Sequence, residues 1–255
     1  METIRVETRG PVTTVRLHRP EVRNAFDETL ISELTQAFRA IPEASRVVVL
    51  TGEGPVFCAG ADAAWMKKSK EYGQKENERD AAAMATMLRA VEECPKPVIG
   101  RVRGAALGGG SGLVAACDIV VAEEGAQFGF TEVRLGIIPA VISTFVLPKI
   151  GPSAARRYFL TGERFGAREA QTLGLVHEVA PPDALEAKVE ALIAELLRCG
   201  PRAVEAAKRL LREVAGLSRK KAIEHTVHTI ARLRVSPEAQ EGLGAFLEKR
   251  KPGWS

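Results

Sequence analysis

The chain has 255 residues, with 36 Lys and Arg against 32 Asp and Glu, a formal net charge of +4, 45% hydrophobic and 27% charged residues. This composition excludes a disordered chain, and so mild a charge, with no basic run interleaved with aromatics, argues against a nucleic-acid partner. The length suffices for one large core or for a main domain with an appendage.

Taken in order, Ile4 to Thr8 alternates, Gly10-Pro11 turns, and Val12 to Leu17 alternates again, which predicts a hairpin. Asp27 can cap a helix whose apolar face is Leu30, Ile31, Leu34, Ala37, Phe38 and Ile41, stopped by Pro42. Val47 to Leu50 reads as a buried strand. Lys67 to Asn77 is polar with mixed charges and reads as a mobile loop, of the kind that covers a site. A helix is expected over Glu78 to Glu93, then strands at Val98 to Val102 and Ile119 to Val121, with a turn over Gln127 to Phe130. This alternation predicts an α/β domain. Beyond Gly151 short helices are expected at Ala154 to Leu160 and Ala167 to Leu173, with a last strand at Leu175 to Val179. Helices follow from Pro181 to Arg198, Pro201 to about Ala215, Ser218 to Leu233 and Pro237 to Lys249. The domain boundary is placed near Gly200, giving a core over 1–199 and a helical unit over 200–255. Leu210, Leu211, Ile223, Val227, Ile230, Leu233, Leu243, Phe246 and Leu247 give that unit more apolar surface than water tolerates.

The four cysteines, Cys58, Cys94, Cys117 and Cys199, form no CxxC pair, so no metal site is expected. Cys58 and Cys117 lie among small apolar residues and read as buried thiols, which suits a reducing compartment. METIRVETRG carries charges where a secretory leader would be apolar, and no apolar run reaches membrane-spanning length. A cytoplasmic location without a membrane partner is the expectation.

The chemistry centres on residues 103–139, RGAALGGGSGLVAACDIVVAEEGAQFGFTEVRLGIIP. Gly108, Gly109 and Gly110 allow strained backbone angles and leave N–H groups uncovered. A helix starting there directs free N–H groups outward, where negative charge is stabilised. Some twenty residues on, Glu132 adds one carboxylate. His225 and His228 have no acid or Cys partner that would complete a metal-ligand set, and Ser111 and Ser143 lack a recognisable base.

The strings HRPEVRNAFD (18–27), FCAGAD (57–62), RGAALGGG (103–110), ACDIVVAEEGAQFGFTEVRLGIIP (116–139) and EGLGAFLEKRKP (241–252) together resemble the enoyl-CoA hydratase/isomerase, or crotonase, superfamily. The resemblance implies a crotonase-like spiral of ββα turns with a C-terminal helical trimerisation domain, assembled as a trimer or a dimer of trimers. It implies an acyl-CoA substrate and no cofactor beyond the coenzyme A of that thioester. It places two backbone donors for the thioester oxygen at Ala61 and Gly109, and the acid/base at Glu132. Substrate and CoA contacts fall to Arg23, Ala25, Ala59, Asp62, Ala63, Trp65, Gly108, Phe246 and Lys249, the last two reaching a neighbouring subunit together with Lys251. The chain departs from the two-acid pattern: Gly112 stands where such hydratases carry a first glutamate, so Gly112→Ala is expected to be tolerated far better in turnover than Glu132→Gln. NAFDETLISEL, AGADAAWM, GGGSGL and TEVRLGIIPAVIS resemble the bacterial methylglutaconyl-CoA hydratase branch of leucine degradation. A glutaconyl substrate would need a cation, for which Lys67, Lys68, Arg79 and Arg134 are candidates. Isomerisation of an acyl-CoA double bond, or non-catalytic acyl-CoA or RNA binding on the same fold, are the other readings.

Overall fold

The computed structural model describes residues 1–254. Its strands are β1 (Ile4–Arg9), β2 (Val12–Leu17), β3 (Val47–Gly52), β4 (Val98–Val102), β5 (Ala105–Leu107), β6 (Ile119–Glu123), β7 (Gln127–Gly129), β8 (Arg164–Gly166) and β9 (Glu178–Ala180). Its helices are α1 (Glu28–Arg39), α2 (Ala63–Ser69), α3 (Gln74–Glu92), α4 (Gly109–Ala116), α5 (Ala140–Thr161), α6 (Ala167–Thr172), α7 (Leu185–Arg198), α8 (Pro201–Ala215), α9 (Arg219–Arg234) and α10 (Pro237–Leu247).

One six-stranded sheet runs in the order β1-β2-β3-β4-β6-β9, parallel except for the β1/β2 hairpin. A second sheet, β5-β7-β8, pairs β5 and β7 in parallel and β7 with β8 in antiparallel. Strands buried on both faces explain the unbroken Val47 to Leu50 run. Asp27 accepts the Leu30 N–H at 2.8 Å and starts α1, whose Leu30, Leu34 and Phe38 enter the core. Phe26, Phe57, Phe128 and Phe130 are fully buried, and Phe130 meets Phe159 edge-on at 4.9 Å.

Several expectations are corrected. The supposed loop over Lys67 to Asn77 is mostly helix, because Asp62 caps α2 and Glu76 accepts the Gly73 N–H at the start of α3. The Gln127 to Phe130 turn contains strand β7, and the three-residue strands β5 and β8 went unread. The helix expected from Ala154 begins at Ala140; its break at Gly151 (φ +70°), between Pro148 and Pro152, hides the first half from pattern reading. The last strand is shorter than expected, Glu178–Ala180.

The chain divides into two compact units, one of Met1–Cys94 with Val98–Val189 and the other of Pro95–Pro97 with Glu190–Ser255. The division falls inside α7, about ten residues before the expected Gly200, and draws in a distant tripeptide. The second unit holds that tripeptide through Lys96, which pairs with Glu205 at 2.5 Å and accepts from Lys208 Nζ on its carbonyl at 3.0 Å. Glu238 of α10 accepts the Arg202 and Ala203 N–H groups at the start of α8. Among the described residues, no helix is long and apolar enough to cross a membrane.

Candidate active site

The site lies in the first unit, where three connections meet. The first follows β3. There Cys58 exchanges backbone bonds with β5, its N–H donating to Ala105 O and its carbonyl accepting from Leu107 N–H, both at 3.0 Å. Phe26 N–H then donates to Gly60 O at 2.7 Å, and Asp62 N–H donates to Phe26 O at 2.8 Å. These two bonds bracket Ala61 and leave its own N–H without an acceptor among the described residues. Gly60, at φ +95°, is required: a Cβ there would stand 2.9 Å from Leu107 O.

The second connection is the glycine corner. Gly108 adopts φ +51°, ψ −122°, and donates to Gly129 O at 2.8 Å. α4 begins at the next residue, so the Gly109 N–H is one of the free donors of a helix start. A side chain on Gly109 would press on Met84 Cε at 2.6 Å and Phe26 Cε2 at 2.8 Å. The Gly109 nitrogen lies 3.9 Å from where a Cβ of Gly60 would be, which brings both donor loops together.

The third connection follows β7. Because Leu107 pairs with Gly129 in parallel register, Gly108 and Phe130 leave the sheet side by side. A 3-10 turn over Thr131–Leu135 then swings Glu132 back over the corner, its Oε1 3.3 Å from a Cβ built on Gly108. Glu132 Oε2 is buried and has no hydrogen-bond partner. Burial raises the carboxyl pKa above its ordinary value, opposed only by a bond from its own backbone N–H. No ion pair joins it to Arg134. Two free N–H groups and one carboxyl of raised pKa thus sit on connections that meet at the glycine corner, an arrangement suited to holding a developing oxyanion while moving a proton nearby.

Gly112 lies one turn into α4, and its N–H donates to Gly108 O at 3.2 Å. A Cβ there would overlap Ile142 Cγ2 and stand 2.8 Å from Ile142 Cβ, and Ile142 is itself fully buried. Alanine at Gly112, like any longer side chain there, therefore meets an isoleucine of α5, a packing cost separate from the expectation on turnover.

The other candidates are distributed as follows. Arg23 is exposed at φ +56° and its carbonyl accepts from the Ala59 N–H at 3.0 Å. The Ala25 carbonyl accepts from Arg19 Nη1 at 2.6 Å. Asp62 is buried and its carboxylate is taken up by Arg19 and by the Ala64 N–H, so it serves the scaffold. Ala63 opens α2, and Trp65 on the same helix is half-buried against the core. Phe246 and Lys249 belong to the second unit, Phe246 80% exposed and Lys249 at φ +56°. Lys68 is paired with Glu28. Glu123 accepts the Gly104 N–H and Glu124 pairs with Arg168, so both are structural. Sequence reading missed Met84, Ile142 and Arg19. The first two carry no pattern beyond apolar periodicity, whereas Arg19 stands inside HRPEVRNAFD, a string already singled out.

The sequence profile described as "Enoyl-CoA hydratase/isomerase" matches residues 7–255. A putative enoyl-CoA hydratase of Thermus thermophilus is 37% identical over 247 residues, covering 96% of this chain and 97% of that protein. The 2,3-dehydroadipyl-CoA hydratase of Escherichia coli is 33% identical over 260 residues, covering 99% and 98%. Among solved structures, an enoyl-CoA hydratase from Shewanella pealeana superposes with a TM-score of 0.95 at 40% identity, over 99% of this chain and 96% of that one. With its α/β first unit, its helical second unit and matches that run end to end, the chain belongs to the enoyl-CoA hydratase/isomerase family and has the crotonase fold.

Proposed function

We propose that this enzyme reversibly adds water to 3-methylglutaconyl-CoA, giving 3-hydroxy-3-methylglutaryl-CoA, with Glu132 as its single acid/base. The thioester oxygen accepts from the Ala61 and Gly109 N–H groups, which stabilise it most as it gains enolate charge. Glu132 takes a proton from water as the water oxygen bonds to Cβ. The enolate electrons then return to Cα, where Glu132 delivers the same proton. One carboxylate suffices because the enolate is held between the two steps. The observation that carries this reading is the Glu132 carboxyl, its Oε1 3.3 Å from a Cβ built on Gly108 and its Oε2 buried without a hydrogen-bond partner among the described residues, while Gly112 carries no acid.

The choice of a glutaconyl thioester rests on the local strings that resemble the methylglutaconyl-CoA hydratase branch. A relative named for 2,3-dehydroadipyl-CoA, also a thioester with a distal carboxylate, is in keeping with it. A lone carboxylate would also serve a double-bond shift, in which it moves a proton from one carbon to another. The test follows the conjugated thioester by absorbance, with 3-methylglutaconyl-CoA, crotonyl-CoA and a non-conjugated enoyl-CoA as substrates. Preferred loss of conjugation with the first supports hydration of a glutaconyl ester. Gain of conjugation with the third alone would assign an isomerase, and no turnover of any would make the protein a binder.

Homo-oligomerisation is part of this reading. Leu135, Ile137, Ile138 and Leu160 of the first unit are each more than half exposed, near a cavity of 620 Å3 lined by Val133, Leu147 and Phe159. In the second unit Ile223, Val227 and Ile230 form an exposed stripe on α9. Surfaces of this kind are covered in solution, and closed cyclic assembly covers them without open ends. Light scattering on a sizing column distinguishes monomer, trimer and hexamer.

A further inference from the structure

We infer that Arg19 is a positioning residue for the thioester grip, fixing the Ala61 donor through three acceptors at once. The inference rests on the assignment of Ala61 and Gly109 to the thioester oxygen. Arg19 Nη1 donates to Ala25 O at 2.6 Å, and Nη2 lies 3.0 Å from both Asp27 Oδ2 and Asp62 Oδ2. The two carboxylates are the N-caps of different helices: the other oxygen of Asp27 accepts the Leu30 N–H of α1, and that of Asp62 accepts the Ala64 N–H of α2. Between the caps runs the Phe26–Ala61 bridge, whose two backbone bonds flank the free Ala61 N–H. One guanidinium therefore ties the starts of α1 and α2 together directly beside the donor.

The backbone of Arg19 is held just as firmly. Its N–H donates to Asn24 Oδ1 at 2.9 Å, and Asn24 Nδ2 donates to the Glu53 and Val56 carbonyls. The Arg19 side chain is 16% exposed and that of Asp62 8%, so solvent screens the contact little. A planar fork reaches three acceptors in fixed directions, which an ammonium cannot do. Without it, the Asp62 carboxylate keeps its cap but loses its anchor, and α2 is free to shift with Ala61 at its leading edge.

The test compares Arg19→Gln and Arg19→Lys with wild type by kinetics and by the infrared stretch of a thioester carbonyl carrying a 13C label. The infrared arm uses a Glu132→Gln background, so that turnover of the bound enoyl-CoA is slow. Arg19→Gln is expected to lower kcat by roughly 10- to 100-fold, the scale of a misplaced catalytic donor, with KM changed less than about three-fold. Its bound carbonyl should shift less from the free-ester frequency than with Arg19 present, and Arg19→Lys should recover part of both losses. Equal carbonyl shifts with and without Arg19, or a kcat within about two-fold of wild type, overturn the inference. If Arg19→Gln fails to fold, Arg19→Lys carries the same comparison, and full activity with an unchanged carbonyl shift again overturns it. A bound carbonyl that shows no shift even with Arg19 present would instead overturn the assignment of the donors.

Discussion

Replacing Gly112 by alanine sets two effects of opposite sign against each other. Alanine in a helix interior is favoured over glycine by roughly 1 kcal/mol. Against this, the new Cβ would overlap Ile142 Cγ2 and stand 2.8 Å from Ile142 Cβ, with Ile142 buried and unable to swing into solvent. Overpacking of a dense core costs about 1–3 kcal/mol, so a net loss of up to about 2 kcal/mol is expected. At this chain length that lowers Tm by up to about 8 °C. Denaturant unfolding of Gly112→Ala, Ile142→Ala and the double variant removes the helix term, because it is common to both backgrounds. Gly112→Ala should cost at least about 1 kcal/mol less when residue 142 is alanine, since the branched side chain is then gone. Relief is partial, as the Cβ of residue 142 remains. Additivity within about 0.5 kcal/mol would show that the two positions do not press on each other, and would refute the packing cost assigned to Ile142.

Glu132→Gln is expected to lower kcat by about 10² to 10⁴ while retaining CoA-ester affinity, measured by steady-state kinetics and calorimetry; near-normal turnover would place the base elsewhere. Because burial raises the Glu132 pKa in the folded state, the native protein binds more protons than the unfolded chain above the ordinary carboxyl range. The resulting stabilisation is complete at acid pH and is lost as pH rises through the folded pKa, so Glu132→Gln should unfold at higher denaturant than wild type at neutral pH, with the gap closing towards pH 4. The acid limb of kcat/KM should lie above the ordinary carboxyl range and vanish in that variant. Lys249→Ala should raise KM with kcat nearly unchanged, an effect that weakens with added salt if CoA phosphates are the partner. Of the four cations considered for a distal carboxylate, Lys68 is already paired with Glu28, while Arg134 sits in the same turn as Glu132; Arg134→Ala is expected to raise the glutaconyl-to-crotonyl KM ratio about ten-fold, and an unchanged ratio discards it.

Much of the frame was legible because its signals are local. The β1/β2 hairpin, the Asp27 cap and the Val47 run each state their structure within a few residues. The glycine corner and Glu132 were visible as a motif, and the fold supplies their proximity through the β5/β7 register. What was not legible depends on distance in sequence. Three-residue strands such as β5 and β8 are too short to show a period, and their pairing alone defines them. Ile142 gives no sign in sequence that it fills the space beside Gly112, thirty residues away. Asp62 was placed at the substrate by the resemblance alone, and its carboxylate's partner Arg19, over forty residues earlier, gave no local sign of the pairing.

The donors proposed at Ala61 and Gly109 are main-chain groups, and a main-chain amide has no codon of its own. No substitution at either position deletes it, short of proline. What inheritance must guard is the emptiness around it: Gly60, where a methyl group would meet Leu107 O, and Gly109, where one would meet Met84 and Phe26. On the proposed assignment, a lineage carrying this architecture keeps its hold on the thioester through glycines rather than through any side chain that binds, and its other site residues change without touching that hold.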